Sequence, residues 1–217
     1  MLVDMTKKRY QRITNVLSHR QKDLTILAED VYKPHNLSAI LRTCDSVGIG
    51  KAYAVNPTGG VPTFSASSSS ADKWVDLEVY KTIEDATAAI KAQGMQIYAA
   101  HFSDDAVDYR SIDYTKPSCI LLGNERSGVT DKAAQLADQR IIIPMFGMVP
   151  SLNVSVAAAI ILFEAQGQRL KAGLYDRASL SEREINGLAY QWYRPKEAKR
   201  FAEQGLDYPK IDIEELE

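Results

Sequence analysis

The sequence predicts an α/β protein in which a parallel sheet is covered by helices. Short apolar runs alternate with longer segments of helical periodicity along most of the chain. The runs are apolar at successive positions rather than at every second one, so both faces of each strand are expected to be covered. A chain of 217 residues, 45% hydrophobic and 25% charged, can bury the core this arrangement needs.

The elements follow in order. "KRYQRITNVLSHRQ" places Tyr10, Ile13 and Leu17 at helical intervals with cations on the other face, an amphipathic helix. "LTILAEDVY" reads as a strand. "HNLSAILRTCDSVGIG" reads as a helix, with Asn36 as its N-cap, Leu37, Ile40, Leu41 and Cys44 on its apolar face, and Gly48 as its stop. "KAYAVNP" is a short strand closed by Pro57. "FSASSSSADKW" reads equally as a flexible linker or a small-residue helix, and "VDLEVY" after it as a strand. "TIEDATAAIKAQG" opens on a Thr82/Asp85 pair like a capping box and stops at Gly94. "MQIYAAHF", "SCILLGNE" and "RIIIPMFG" are further strands, with the helix "TDKAAQLADQ" between the last two. A long helix runs from Asn153 to Lys171 and stops near Gly173, and the last segment is helical with a break at Pro195.

Composition narrows the function. The longest apolar run, Val154 to Phe163, falls well short of the ~20 residues of a membrane span. Cys44 and Cys119 lie far apart inside apolar segments, as buried free thiols of a cytoplasmic protein would. The net charge of −2 argues against a nucleic-acid partner, but its distribution does not. Lys7, Lys8, Arg9, Arg12, Arg20 and Lys22 face only Asp4 in the first 22 residues, and Arg194, Lys196, Lys199 and Arg200 cluster near the other end. Basic ends on a neutral body fit either an anionic macromolecule held from the flanks or solvated helix faces.

The common α/β signatures are missing. No G-x-G-x-x-G follows the first strand, and there is no P-loop and no G-x-S-x-G elbow. His19, His35 and His101 lack metal-ligand spacing, so no metal is expected. Three polar clusters remain, each at the end of an apolar element: "PHNLSAILRT", "ILLGNERSG" and the long loop "PMFGMVPSLNVS". Open α/β sheets bind ligands at the carboxyl ends of their strands, where glycine allows close approach of a backbone.

Asn36 and Arg42 in "N-x5-R", "LLGNE" after a central strand, and "IIIPMFGMVPSLNVSVAAAIILFEA" before the last core helix resemble the three motifs of the SPOUT class of RNA 2′-O-methyltransferases. The match is closest to the TrmH branch, which modifies guanosine-18 of tRNA. "KPHNLSAILRTCDSVG", "SDDAVDYRSIDYTKP" and "SLNVSVA" extend the likeness from Leu24 to Gly173.

The resemblance implies what periodicity cannot show. It implies a deep C-terminal trefoil knot, where general connection rules alone predict an unknotted sheet, and a homodimer in which the helix Asn153–Lys171, with Ile161, forms part of the interface. It divides the chain into a basic helical extension over 1–22, a catalytic domain over 23–173 and a helical extension over 174–217. It implies S-adenosylmethionine as cofactor, held largely by backbone at Ala100, Gly123, Ile143 and Leu152. The catalytic positions are Arg42, Asn36, Glu125, Ser151 and Asn153. The tRNA would be gripped by Lys8, Arg9, Arg12, Arg20 and Arg169. Another tRNA or ribosomal RNA ribose, or a non-catalytic knotted RNA-binding protein, are the alternatives the motifs leave open.

Overall fold

The computed structural model describes residues 6–57, 73–124 and 126–211. The chain divides into two compact units. One spans Lys22–Leu174; the other joins helix α1 (Lys7–Ser18) to the residues from Tyr175 onward.

The larger unit holds one seven-stranded sheet: β1 (Leu24–Glu29), β2 (Lys51–Val55), β3 (Asp76–Tyr80), β4 (Gln96–Ala100), β5 (Val107–Asp108), β6 (Ser118–Leu122) and β7 (Gln139–Ile142). Every pairing is parallel, in the order β3-β2-β1-β6-β4-β7-β5. The chain steps outward from β1 to β3 and crosses back to β4. It later inserts β6 between β1 and β4, and β7 between β4 and β5. The two-residue β5 has too little apolar length to be seen as a strand in the sequence. The segment "FSASSSSA" lies outside the described residues.

Side chains of successive strand residues point to opposite faces, and both faces are buried. Leu24, Ile26, Ala28, Ile120 and Leu122 pack beneath α2 (Pro34–Ser46) and α5 (Val154–Lys171). Leu27, Cys119, Leu121, Ile97 and Ala99 pack beneath α3 (Ile83–Ala92) and α4 (Asp131–Leu136). Cys44 and Cys119 are free and buried, and burial pushes the Cys119 thiol well above its ordinary range. Helix ends follow local chemistry. Thr82 caps α3 by accepting Asp85 N–H at 3.2 Å. Gly48 (φ +84°) ends α2 in a Schellman turn, with Ile49 N–H on the Cys44 carbonyl at 2.9 Å.

In the smaller unit, α1 buries Ile13 and Leu17 against α6 (Glu182–Tyr193), where Ala189 and Trp192 meet them. Lys7, Lys8, Arg9 and Arg12 stay on the exposed face. Ser181 closes a full capping box with Glu184 at the head of α6. Pro195 ends that helix and starts α7 (Pro195–Glu203), Arg194 serving as cap to both. No helix among the described residues is long and apolar enough to cross a membrane.

Three expectations are corrected by burial. Arg169, expected on RNA phosphate, is 0% exposed. Its Nε donates to the Tyr114 carbonyl at 2.8 Å, its Nη1 to Asp23 Oδ1 at 2.6 Å, and its Nη2 to the Asp23 and Lys116 carbonyls, each at 3.1 Å. The guanidinium ties the last turn of α5 to the chain entering β1 and β6. Arg20, also expected on phosphate, is 2% exposed. It follows α1 rather than lying on its cationic face, and its guanidinium sits 5.5 Å over the Trp192 ring. Ile161, expected at a subunit surface, is 1% exposed inside the chain's own core.

Replacing Arg169 by Ala should therefore lower stability by about 2–4 kcal/mol, because three carbonyls, that of Tyr114 buried, and the Asp23 carboxylate lose their donor. Lys should not restore it, since an ammonium cannot span those acceptors. Chemical denaturation checks this; a wild-type midpoint for the Ala variant would return Arg169 to the surface role.

Candidate active site

The carboxyl edge of the sheet carries the polar clusters. Strands β6, β4 and β7 are consecutive neighbours, so their ends bring Gly123, Ala100 and Ile143 to one edge. Gly123 follows β6 directly. A Cβ there would lie 1.9 Å from the Gly128 carbonyl carbon and 2.0 Å from Val129 N, both backbone atoms that cannot yield. The turn folds back tightly enough to admit only glycine. Asn124 holds its shape: Asn124 and Gly128 exchange two backbone hydrogen bonds at 3.1 and 3.0 Å. The Asn124 Oδ1 accepts the N–H groups of Arg126 and Ser127 at 2.9 and 2.8 Å. Glu125, between Asn124 and Arg126, lies outside the described residues.

Asn36 is not the cap of α2. Pro34 occupies the first helical position, which suits its missing N–H, and this moves Asn36 into the first turn, 2% exposed. There its Oδ1 accepts from Asn153 Nδ2 at 3.2 Å. Asn153 in turn caps α5, its Oδ1 accepting Ser155 N–H at 2.8 Å and Ser155 Oγ–H at 2.6 Å. Two candidate residues far apart in sequence thus join α2 to the head of α5. Arg42 is exposed further along α2. Six residues at about 100° each leave it roughly 120° around the helix from Asn36, so the structure does not bring these two onto one face.

Ser151 is exposed and Leu152 half-buried, at the end of the loop joining β7 to α5. Among the described residues, no hydrogen bond holds the main chain between Pro144 and Leu152. Backbone N–H and C=O groups there remain available as donors and acceptors. That donor set fits a ligand bound mainly by main chain, as the sequence reading expects for S-adenosylmethionine. The same loop exposes Phe146 and Met148 almost fully.

One positioning residue escaped the sequence reading. Glu29, ending β1, is 6% exposed, and its carboxylate accepts Thr130 N–H at 2.9 Å and Thr130 Oγ–H at 2.7 Å. It anchors the far end of the Gly123 turn. The available signal was a carboxylate closing a mostly apolar strand, "LTILAE".

Comparison with known proteins decides the family. Residues 23–163 match the SpoU rRNA Methylase family, and residues 167–214 match its C-terminal region. The chain belongs to the SpoU methylase family. A curated tRNA (guanosine(18)-2'-O)-methyltransferase from Thermus thermophilus is 55% identical over 191 residues, 88% of this chain and 98% of the relative. Among solved structures, the TrmH/SpoU tRNA modifying enzyme of A. aeolicus superposes with a TM-score of 0.82 at 42% identity, covering 87% of this chain and 96% of that one. An AdoMet-bound rRNA methyltransferase from Sinorhizobium meliloti superposes with a TM-score of 0.60 at 31% identity, covering 71% of this chain and 59% of that one.

The steric closure at Gly123 gives a sharp test of this edge. Gly123→Ala should keep most secondary structure but abolish measurable S-adenosylmethionine binding by calorimetry. Binding within about twofold of wild type would mean that the turn can open without harming the site.

Proposed function

We propose that this SpoU methylase transfers a methyl group from S-adenosylmethionine to the 2′-oxygen of guanosine-18 in tRNA. The observation that carries the reading is the joining of Asn36 to Asn153 beside a strand-end edge bearing Gly123, in a chain 55% identical to a curated enzyme of that activity. S-adenosylmethionine supplies the electrophilic methyl group. Backbone groups at Ala100, Gly123, Ile143 and Leu152 would hold it.

A ribose hydroxyl is a poor nucleophile and must be positioned and helped to lose its proton. We do not assign Arg42 as the base, because a guanidinium is a fixed cation. We assign it instead to the phosphate next to the target ribose, where its fixed charge also polarises the hydroxyl. Asn153, held by Asn36, would orient the ribose together with Glu125 and Ser151. Lys8, Arg9 and Arg12, exposed on α1, would contact tRNA phosphates.

The finer architecture belongs to the same proposal. The insertion of β6 and β7 between earlier strands supports a trefoil knot in the C-terminal half of the larger unit. Val156, Phe163 and Leu170 repeat at seven-residue spacing on α5, each about half exposed. Such a stripe supports a homodimer, with Phe163 rather than Ile161 at its surface. A cytoplasmic location fits the tRNA substrate and the two free thiols.

Two experiments test this. Arg42→Ala should lose methyl transfer by at least ~100-fold while S-adenosylmethionine affinity stays within a few fold, and Arg42→Lys should remain poor because a point charge cannot replace the planar fork. Near-normal turnover by either variant would remove Arg42 from its role. Neutralising Lys8, Arg9 and Arg12 together should flatten the slope of log tRNA affinity against log salt by roughly 2–3. An unchanged slope would leave α1 as packing alone.

A further inference from the structure

Two side chains at the carboxyl edge remain unused by that chemistry. Tyr32 lies in the turn between β1 and α2 and is 41% exposed. Arg126 lies at the tip of the turn after β6, and its guanidinium carbon stands 5.8 Å from the Tyr32 ring centroid. Strands β1 and β6 are adjacent, so two neighbouring strand ends present one planar aromatic and one planar cation together.

Both groups are held by their backbones. Asp30, at φ +51°, is the one non-glycine residue of positive φ among the described residues, and its N–H donates to the Val55 carbonyl at 3.1 Å. Val31, 6% exposed, anchors the turn from below, and Pro34 begins α2. Arg126 is fixed by the hydrogen bonds of Asn124. A backbone in the left-handed region is costly for a residue other than glycine and persists where its surroundings impose it. Here it presents an aromatic ring to solvent, which does nothing for the core. An exposed cation–π pair contributes little to folding.

We propose that Tyr32 and Arg126 form a stacking wall for the guanine of the nucleotide whose ribose is methylated. Proteins recognise unpaired RNA bases by stacking them on aromatic rings and arginine planes. The target base is bonded directly to the target ribose, so it must lie against whatever borders the ribose site. Tyr32 lies four residues before the buried Asn36, which holds Asn153, and Arg126 is next in sequence to Glu125, so the wall belongs to the two segments that carry residues assigned to the ribose. A flat π surface accepts any base; the wall thus supplies affinity and orientation for an extruded nucleotide.

The inference rests on the reading of the chain as a tRNA ribose methyltransferase, and its test separates the two. Tyr32→Phe, Tyr32→Ala and Arg126→Ala would be compared with wild type for kcat and KM on tRNA, for S-adenosylmethionine affinity and for thermal midpoint. Each would also be photo-crosslinked to tRNA carrying 6-thioguanosine at the methylated position. Tyr32→Phe should behave as wild type. Tyr32→Ala should raise KM for tRNA on the order of 10-fold or more, with cofactor affinity and thermal midpoint unchanged. Arg126→Ala should raise it less, since the ring remains. The wild-type crosslink should map to Tyr32 and be lost in Tyr32→Ala. Unchanged KM and crosslink yield in Tyr32→Ala would overturn the stacking wall while leaving the activity intact. Failure of the wild-type enzyme to methylate any tRNA would instead remove the reading beneath it.

Discussion

The buried guanidinium of Arg169 is the constraint on which the larger unit depends. It joins the last turn of α5 to Asp23, Tyr114 and Lys116, the residues that lead into β1 and β6. These strands are central neighbours, in register from Leu24 opposite Ser118 to Ala28 opposite Leu122. A clamp at their amino ends therefore sets where their carboxyl ends fall, some five residues away. Gln168 reinforces it, donating to the Ile112 carbonyl at 3.0 Å and accepting Tyr114 N–H at 2.9 Å. The positive group also lies in the last turn of a helix, where the helix dipole favours a cation.

The site at the opposite edge follows from this arrangement. With α5 fixed at its far end and packed on α2 through Ala158, Ile161, Leu162 and Ala165, its head arrives at the first turn of α2, and Asn153 meets Asn36. The order β1-β6-β4-β7 sets the loops after four strands along one rim. Glu29 closes the rim by holding Thr130. Function needs a few polar groups at defined separations, and a rigid two-faced core supplies the separations.

Much of this was legible in the sequence because it rests on local chemistry. Apolar runs gave the strands from β1 to β4, β6 and β7, and glycines 48, 94 and 173, all at positive φ, marked helix ends as expected. What was not legible depends on tertiary contact. Arg169 in a helix's last turn looks like any surface cation until the chain entering β6 folds over it. Arg20 looks like one more member of a basic helix until Trp192 covers it. Ile161 and Phe163 are two residues apart on an apolar helix, and only packing decides that the first is core and the second exposed. Asn36 is a different case: Pro34 two residues earlier already signalled that the helix begins before it. The candidate site was visible through motifs spread along the chain, and the contact that joins two of them, Asn36 with Asn153, is a product of the fold.

The most direct measurement is the position of the methyl group. Purified protein would be incubated with S-adenosylmethionine carrying a labelled methyl group and with unmodified tRNA transcripts and ribosomal RNA, and the products digested to nucleosides and fragments for mass spectrometry. One 2′-O-methylguanosine is expected in tRNA, at position 18 in the D-loop, and no label in ribosomal RNA. Label on a base nitrogen, on another ribose of the tRNA, or in ribosomal RNA alone would contradict it.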